Sequence, residues 1–172
     1  MRWHGMSMFA ALGVMLLGIT TAPSAAVAQD GTVLKAADVQ KLLPDAVWYK
    51  GQSAPSQKRN SGGVKFADGS YVLATLVDNS GYASDVAAKY QAYFVTELPI
   101  KIGGQSLPTG VYGVGFIGDN KFVVTDIGAH DVFTVSSSTD EEMKRPMPMQ
   151  VTTDPGGGFR LYAGRRYVTF GK

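Results

Sequence analysis

The chain has 172 residues, with 16 Lys and Arg against 14 Asp and Glu, for a net charge of +2. So balanced a charge creates no strong field toward nucleic acid or a membrane surface, and we expect neither as a partner. The chain has no cysteine, which excludes a disulfide framework and a thiol-linked lipid anchor.

The first 28 residues show the three zones of a secretory signal. Arg2 supplies the positive start, residues 9–19 form an apolar run of 11 residues, and Ala26-Val27-Ala28 is a small-x-small cleavage site. We therefore predict cleavage after Ala28, a single β-domain over residues 29–172, and a location in the periplasm or outside the cell. No later apolar segment approaches the length of a membrane span.

The rest of the chain begins with a helical pattern. Apolar residues recur at helical spacing over 35–43, and Pro44 stops the helix. A strand at 46–50 precedes the polar segment GQSAPSQKRNSGG, 51–63, which we predict to be a loop because it lacks apolar periodicity. Ser84 is expected to cap one helical turn, and the next segment, 89–98, reads as a strand.

Strands and turns dominate the remaining sequence. A meander is predicted over 111–117, 122–127 and 131–135, and a last hairpin over 159–162 and 165–170. Turn signals recur along the chain, and the total is about nine or ten short strands with one short N-terminal helix. The sequence thus predicts an all-β fold, either a β-sandwich or a small closed β-barrel.

The stretch GVGFIG, 113–118, matches the G-x-G-x-x-G fingerprint of dinucleotide-binding loops. That fingerprint needs a helix after the glycines, whereas DNKFVVTDI reads as a turn and a strand. We therefore interpret it as a strand with Tyr112, Val114 and Phe116 facing the core. Gly113 and Gly115 then mark a bend, or a place where a ligand or an aromatic ring lies across bare backbone.

The same region carries a family resemblance. LPTGVYGVGF, followed by a polar turn and KFVV, resembles the L-P-x-G-x-Y hairpin of uncharacterised secreted bacterial β-domains. The resemblance implies export and β-structure.

Candidate catalytic residues are few. His130 is the only histidine after the signal, and it lies between Asp126 and Asp131. We interpret it as a turn residue that hydrogen-bonds locally. A triad also needs a nucleophile, and neither Ser53 nor Ser106 lies in G-x-S-x-G, whereas most zinc sites use more nitrogen or sulfur ligands. Asp126 and Asp131, with the acidic run 140–142, leave open a hydrolase that uses two carboxylates.

Three methionines raise the question of copper. Met143, Met147 and Met149 lie close together in the sequence, and thioether sulfur suits Cu(I). We instead predict Met147, Met149 and Val151 on one core-facing side of a strand, and we expect neither a metal nor another cofactor.

The candidate binding residues are Arg160, Tyr162, Arg165 and Tyr167. With Ala163-Gly164 as a two-residue turn, Tyr162 pairs with Arg165 and Arg160 with Tyr167, so that all four side chains share one face. Such a face either stabilises the sheet or contacts an anionic partner. The leading hypothesis is an exported, non-catalytic binding or envelope-interaction module for an anionic polysaccharide or an envelope protein. A carboxylate hydrolase and a small-ligand carrier are the alternatives.

Overall fold

The computed structural model describes Met1 and residues 30–172. The predicted cleavage site and almost all of the predicted signal lie outside the described residues. Within the described part, no helix is long and apolar enough to cross a membrane.

Fourteen strands and two helices make up residues 30–172, more strands than the sequence predicts. The helices are α1 (Ala36–Leu42) and α2 (Ser84–Lys89). The strands are β1 (Gly31–Val33), β2 (Ala46–Tyr49), β3 (Gln52–Phe66), β4 (Tyr71–Val77), β5 (Ala92–Thr96), β6 (Ile100–Ile102), β7 (Gln105–Leu107), β8 (Gly110–Ile117), β9 (Lys121–Thr125), β10 (Asp131–Ser136), β11 (Ser138–Thr139), β12 (Met147–Thr153), β13 (Phe159–Gly164) and β14 (Arg166–Gly171).

The strands form two antiparallel sheets. The large sheet has the order β1-β3-β4-β5-β8-β9-β10 with β2 beside β3, and the small sheet has the order β12-β13-β14-β6-β7 with β11 beside β14. Because β1 and β10 remain the two ends of the large sheet, the described strands form no closed barrel, and that alternative is wrong. The all-β prediction is confirmed.

The two sheets share one hydrophobic core. Phe66 of the large sheet meets Phe159 of the small sheet edge to face, with ring centroids 5.8 Å apart, and Phe94 meets Phe170 in the same way at 6.5 Å. Aromatic rings in such geometry gain from quadrupole contact beyond the area that they bury. This facing of inner surfaces gives the fold a sandwich-like arrangement.

The predicted loop at 51–63 is wrong, because most of it is strand β3. Lys50 and Gly51, with φ of 47° and 77°, form the two-residue turn that joins β2 to β3. Farther on, a Cβ at Gly62 would lie 2.6 Å from the Val151 nitrogen, so glycine permits β12 to pack against β3. Pairing with β2 and β4 therefore makes a strand of a segment that has almost no apolar residues.

Two boundaries near α2 also differ from the prediction. The helix runs to Lys89, so the strand predicted at 89–98 begins only at Ala92. Ser84 is the first helical residue and not the cap, since Ala83 occupies the N-cap without a side-chain hydrogen bond. The helix predicted at 35–43 is present as α1.

The glycine-rich stretch lies in strand β8, as predicted. Val114 and Phe116 are buried in the shared core, and Tyr112 packs against it. After Gly118, residues Asp119 and Asn120 turn the chain into β9, and no helix begins there. The helix N-terminus that a dinucleotide fingerprint requires is therefore not formed.

Candidate binding groove

Four segments that are distant in sequence meet at one end of the two sheets. They are the chain at Asp30, the β6–β7 turn, the β12–β13 turn and the end of β14, and they enclose a groove of about 430 Å³. Phe66, Phe159 and Phe170 border it, although these core residues are at most 4% exposed. Six glycines also line it, namely Gly103, Gly104, Gly156, Gly157, Gly158 and Gly171. The volume falls within the range of small-molecule sites.

The glycines are there because the turns require them. Gly103 and Gly104 have φ of 54° and 85° and form the two-residue β6–β7 turn. Gly158 has φ of 81°, and a Cβ on it would lie 2.7 Å from the Phe170 carbonyl oxygen. Much of the groove wall is therefore bare backbone, to which a ligand can approach closely.

An ion-pair cluster lies at the edge of the groove. The Lys172 ammonium is 2.8 Å from Asp30 Oδ2 and 3.0 Å from Asp68 Oδ2, and the hydrogen bonds to these two carboxylates raise the pKa of Lys172. Hydrogen bonds from the Ser70 hydroxyl and backbone N–H, and then from Lys172, lower the pKa of Asp68 to about 2. Asp68 is thus held as a carboxylate, paired with Lys172, over the whole physiological range.

Two further lysines have no such partner. Lys101 lines the groove, and Lys65 lines an adjoining depression of about 270 Å³ that shares Asp30 and Phe66 with it. Within residues 30–172, neither lysine forms an ion pair, although Lys65 lies 5.7 Å from the Tyr71 ring centroid. The three lysines of the two depressions thus face two acids, Asp30 and Asp68, which both pair with Lys172 and leave Lys65 and Lys101 without an acidic partner in the described part of the chain.

The structure changes the register of the last hairpin. Tyr162 pairs with Tyr167, and Arg160 with Thr169, so the predicted pairs Tyr162–Arg165 and Arg160–Tyr167 are wrong. The turn is Gly164-Arg165, since Gly164 has the positive φ of 62°. Arg160, Tyr162 and Tyr167 still share the outer face of the small sheet, whereas Arg165 is exposed in the turn.

Arg160 is held by its neighbours on that face. Its Nε is 2.5 Å from Asp154 Oδ1, its Nη1 donates to the Tyr162 hydroxyl at 3.3 Å, and its Cζ lies 4.4 Å from the Tyr167 ring centroid. Tyr162 is itself buried, and its hydroxyl donates to Asp140 Oδ2 at 3.1 Å. The charge of Arg160 is thus largely neutralised by Asp154 at the small sheet. The face nevertheless continues into the groove through Thr169.

The two acidic residues around His130 have different structural partners, and only Asp126 serves the local turn. Asp126 Oδ1 accepts hydrogen bonds from the backbone N–H of Gly128 at 2.8 Å and of His130 at 2.9 Å. The His130 bonds are the largest cause of the lowered pKa of Asp126. Asp131 pairs with the Lys89 ammonium at 2.7 Å. No group of three or more His, Asp or Glu side chains in the described part is arranged to hold a metal ion.

The methionines are not brought together. A bulge between Met147 and Gln150 puts Met147 at the surface, 44% exposed, while Met149 is buried in the core, so their predicted common face is wrong. Met143 contacts Gln150, which lies on the outer face, opposite to Met149.

An aromatic cluster explains the bare backbone at Gly113. The rings of Tyr49 and Tyr90 stack with centroids 3.6 Å apart, and Tyr82 meets both edge to face. A Cβ at Gly113 would lie 2.5 Å from the Tyr49 ring and 2.8 Å from the Tyr90 ring. The interpretation of Gly113 as a place where an aromatic ring lies across bare backbone is therefore confirmed.

This tyrosine cluster should set the alkaline limit of stability. Burial raises the pKa of Tyr49, Tyr82 and Tyr90 above the usual 10.0. In the unfolded chain these phenols ionise near pH 10.0. The stabilisation from burying them as neutral phenols is therefore complete below that pH and is lost as the pH rises above it. We expect phenolate absorbance to show these three titrating only together with the loss of circular dichroism. Independent titration of all tyrosines in the folded protein would contradict this.

Sequence reasoning missed the groove. Its elements are visible only as turn signals, the IGGQ of the β6–β7 turn and the DPGGG of the β12–β13 turn. Nothing in either stretch indicates that the two turns meet, because their contact depends on the pairing of β14 with β6.

Comparison with known proteins assigns no family to the chain. No protein-family model matches it, and no curated protein and no solved structure was found to match it either.

Proposed function

We propose that this chain is an exported, non-catalytic binding module with a β-sandwich fold, and that it holds an anionic segment of an envelope polymer in the glycine-rich groove. The observation that carries the proposal is the lysine-lined groove itself. Lys101 lies at a depression of ligand size with no carboxylate to neutralise it within the described residues. An anionic group placed there gains an ion pair without first breaking one.

The bare backbone favours a polymer with many polar groups. The glycine walls bring a ligand close to the backbone, although Gly103 and Gly157 already donate their N–H groups to the Thr169 and Asp154 carbonyls. Thr169 links the groove to the outer face, where the Tyr167 ring is partly exposed. A chain that leaves the groove across Thr169 would reach Tyr167, one of the residues predicted for binding.

The state of the acids argues against catalysis. A hydrolase that uses two carboxylates needs one of them protonated to act as the general acid. At the groove, Asp30 and Asp68 share the Lys172 ammonium, and the pKa of Asp68 is about 2. Around His130, Asp126 closes its turn and Asp131 pairs with Lys89.

The filled interior argues against a carrier. A carrier would enclose its ligand between the sheets, where the rings of Phe94, Phe122 and Phe159 are at most 1% exposed. The binding surface is better sought at the end of the sheets.

The test uses charge reversal at Lys101. We expect the protein to bind polygalacturonate or polyglutamate more tightly than neutral dextran, and the first two polymers distinguish a polysaccharide from a polypeptide ligand. Lys101→Glu should weaken binding at least about fivefold, and added salt should weaken wild-type binding.

Lys144→Glu is the matched control, because it changes the net charge equally at an exposed turn beside the opposite end of β12. Equal affinities of the two variants would refute the assignment of the groove. Binding of dextran as tight as that of both polyanions would refute an anionic ligand.

A further inference from the structure

A second surface lies on the β2–β3 hairpin, where Trp48 is 69% exposed, more than any other large hydrophobic side chain of residues 30–172. Large apolar side chains exposed on a regular element need an explanation. On the opposite side of the same hairpin, Val47, Tyr49 and Ala54 are buried. The exposure of Trp48 therefore follows from strand alternation and not from a loose segment.

The hairpin is fixed from its buried side. The Tyr49 hydroxyl lies 2.6 Å from Thr125 Oγ1, and the Tyr82 hydroxyl donates to the Tyr49 carbonyl oxygen at 3.0 Å. The Lys50-Gly51 turn closes the end of the hairpin in the conformation that two-residue hairpins prefer. Trp48 thus projects from a rigid support, which lowers the entropy lost when a ligand binds.

The neighbours of Trp48 on the exposed side are small. Ser53 lies directly opposite it, and Ala46 and Pro55 form the next pair on the same side of the hairpin. All three of these residues are exposed, and because none of them is large the indole stands above a low surface. Within the described residues, no aromatic ring or cation covers the indole.

We propose that Trp48 is a stacking platform for a pyranose ring of a neutral β-linked glycan. The C–H groups on one face of a β-linked pyranose carry partial positive charge and complement the negative face of the indole. Directly opposite the indole, the exposed Ser53 hydroxyl offers a hydrogen bond to a sugar hydroxyl.

The area available decides between a sugar and a protein. A Trp side chain supplies roughly 150–250 Å² of contact surface. A stable protein interface, including a dimer of this chain, buries about 800 Å² on each partner, with further apolar anchors around the central one. The small neighbours of Trp48 provide no such anchors, whereas one sugar ring matches the indole in size.

This site is separate from the groove. Ser53 near the start of β3 lies opposite Trp48, and Phe66 at the end of β3 lines the groove. A strand of this length spans roughly 40 Å, so the two sites are at opposite ends of it. The inference therefore goes beyond the proposed function and does not depend on it.

The experiment titrates the folded protein with hexamers of β-1,4-linked glucose and of β-1,4-linked N-acetylglucosamine and follows indole fluorescence and calorimetric heat. At least one hexamer should bind and change the fluorescence. Trp48→Ala should weaken that binding at least about tenfold, as for a central aromatic anchor, while Trp48→Phe retains most of it. Met147→Ala, which removes another exposed apolar side chain on the small sheet, and Lys101→Glu should leave it unchanged.

Three results would overturn the proposal. They are binding of neither hexamer, unchanged binding by Trp48→Ala, and a wild-type dimer in sedimentation that Trp48→Ala dissociates. The last result would assign the surface to a second copy of the chain. Circular dichroism of Trp48→Ala and Trp48→Phe controls for folding, and since the side chain is mostly exposed we expect both variants to fold.

Discussion

Alanine at Gly113 or Gly115 is expected to lower the free energy of unfolding by about 2–4 kcal/mol, whereas alanine at Gly118 should leave it unchanged within about 1 kcal/mol. At Gly113 the added Cβ would lie 2.5 Å from the Tyr49 ring and 2.7 Å from Thr125 Oγ1, both in buried residues. At Gly115 it would overlap the Lys89 carbonyl oxygen, which is backbone at the end of α2.

Gly118 is the internal control of this series, because a Cβ at this position would have nothing within 4 Å and the φ of Gly118 is not in the left-handed region. All three glycines belong to the same G-x-G-x-x-G pattern. Urea unfolding of the three variants measures the differences directly. If Gly118→Ala lowered the free energy of unfolding as much as Gly113→Ala, local packing would not explain the role of these glycines, and the prediction would be wrong.

The sequence predicted the strands whose two faces differ. In β8, Val114 and Phe116 alternate with Gly113 and Gly115, and this period of two is enough to assign both the strand and its core face. Strand β3 carries no comparable signal, since Ser61, Gly62 and Gly63 are buried without being large or apolar. Gly62 is covered by Val151 of β12, and Gly63 by Leu73 of β4 and Val39 of α1, and local pattern does not encode these tertiary contacts.

The last hairpin shows how far turn chemistry determines register. The alternation of side chains along the two strands correctly placed Arg160, Tyr162 and Tyr167 on one face, because the apolar residues between them had to face the core. The choice between Ala163-Gly164 and Gly164-Arg165 as the turn depended on which residue takes the positive φ. Because the turn is Gly164-Arg165, Arg165 lies outside the predicted site. Tyr162 pairs with Tyr167 instead of with Arg165.

The second large effect is expected at the residue next to Arg165. Arg166 belongs to β14 of the small sheet, yet its Nη2 donates to the Ile117 carbonyl, to the Lys121 carbonyl at 3.1 Å and to Ser137 Oγ at 3.4 Å. Its guanidinium also lies 5.4 Å from the Phe116 ring centroid. Since Ile117 and Lys121 belong to the large sheet, this side chain joins the two sheets at the β8–β9 turn.

Arg166→Ala should therefore lower the free energy of unfolding by about 2–4 kcal/mol, through lost charged hydrogen bonds and lost packing. Arg165→Ala, one residue earlier and exposed in the turn, should change it by less than about 0.5 kcal/mol. Urea unfolding of the pair tests this, with equal midpoints as the contradicting result.

Arg166→Met separates the two contributions, because methionine keeps an apolar stem against Phe116 and removes every donor. The Arg166 Nε is buried without a hydrogen-bond partner in the described structure, and the carbonyls that its Nη2 contacts carry only partial charge. The guanidinium therefore bears a desolvation cost that no carboxylate offsets, and an apolar replacement relieves that cost. We expect Arg166→Met to lie between wild type and Arg166→Ala. A methionine variant as stable as wild type would mean that the hydrogen bonds of Arg166 only offset its desolvation, so that packing is its net contribution, and one no better than alanine would assign the whole effect to its hydrogen bonds.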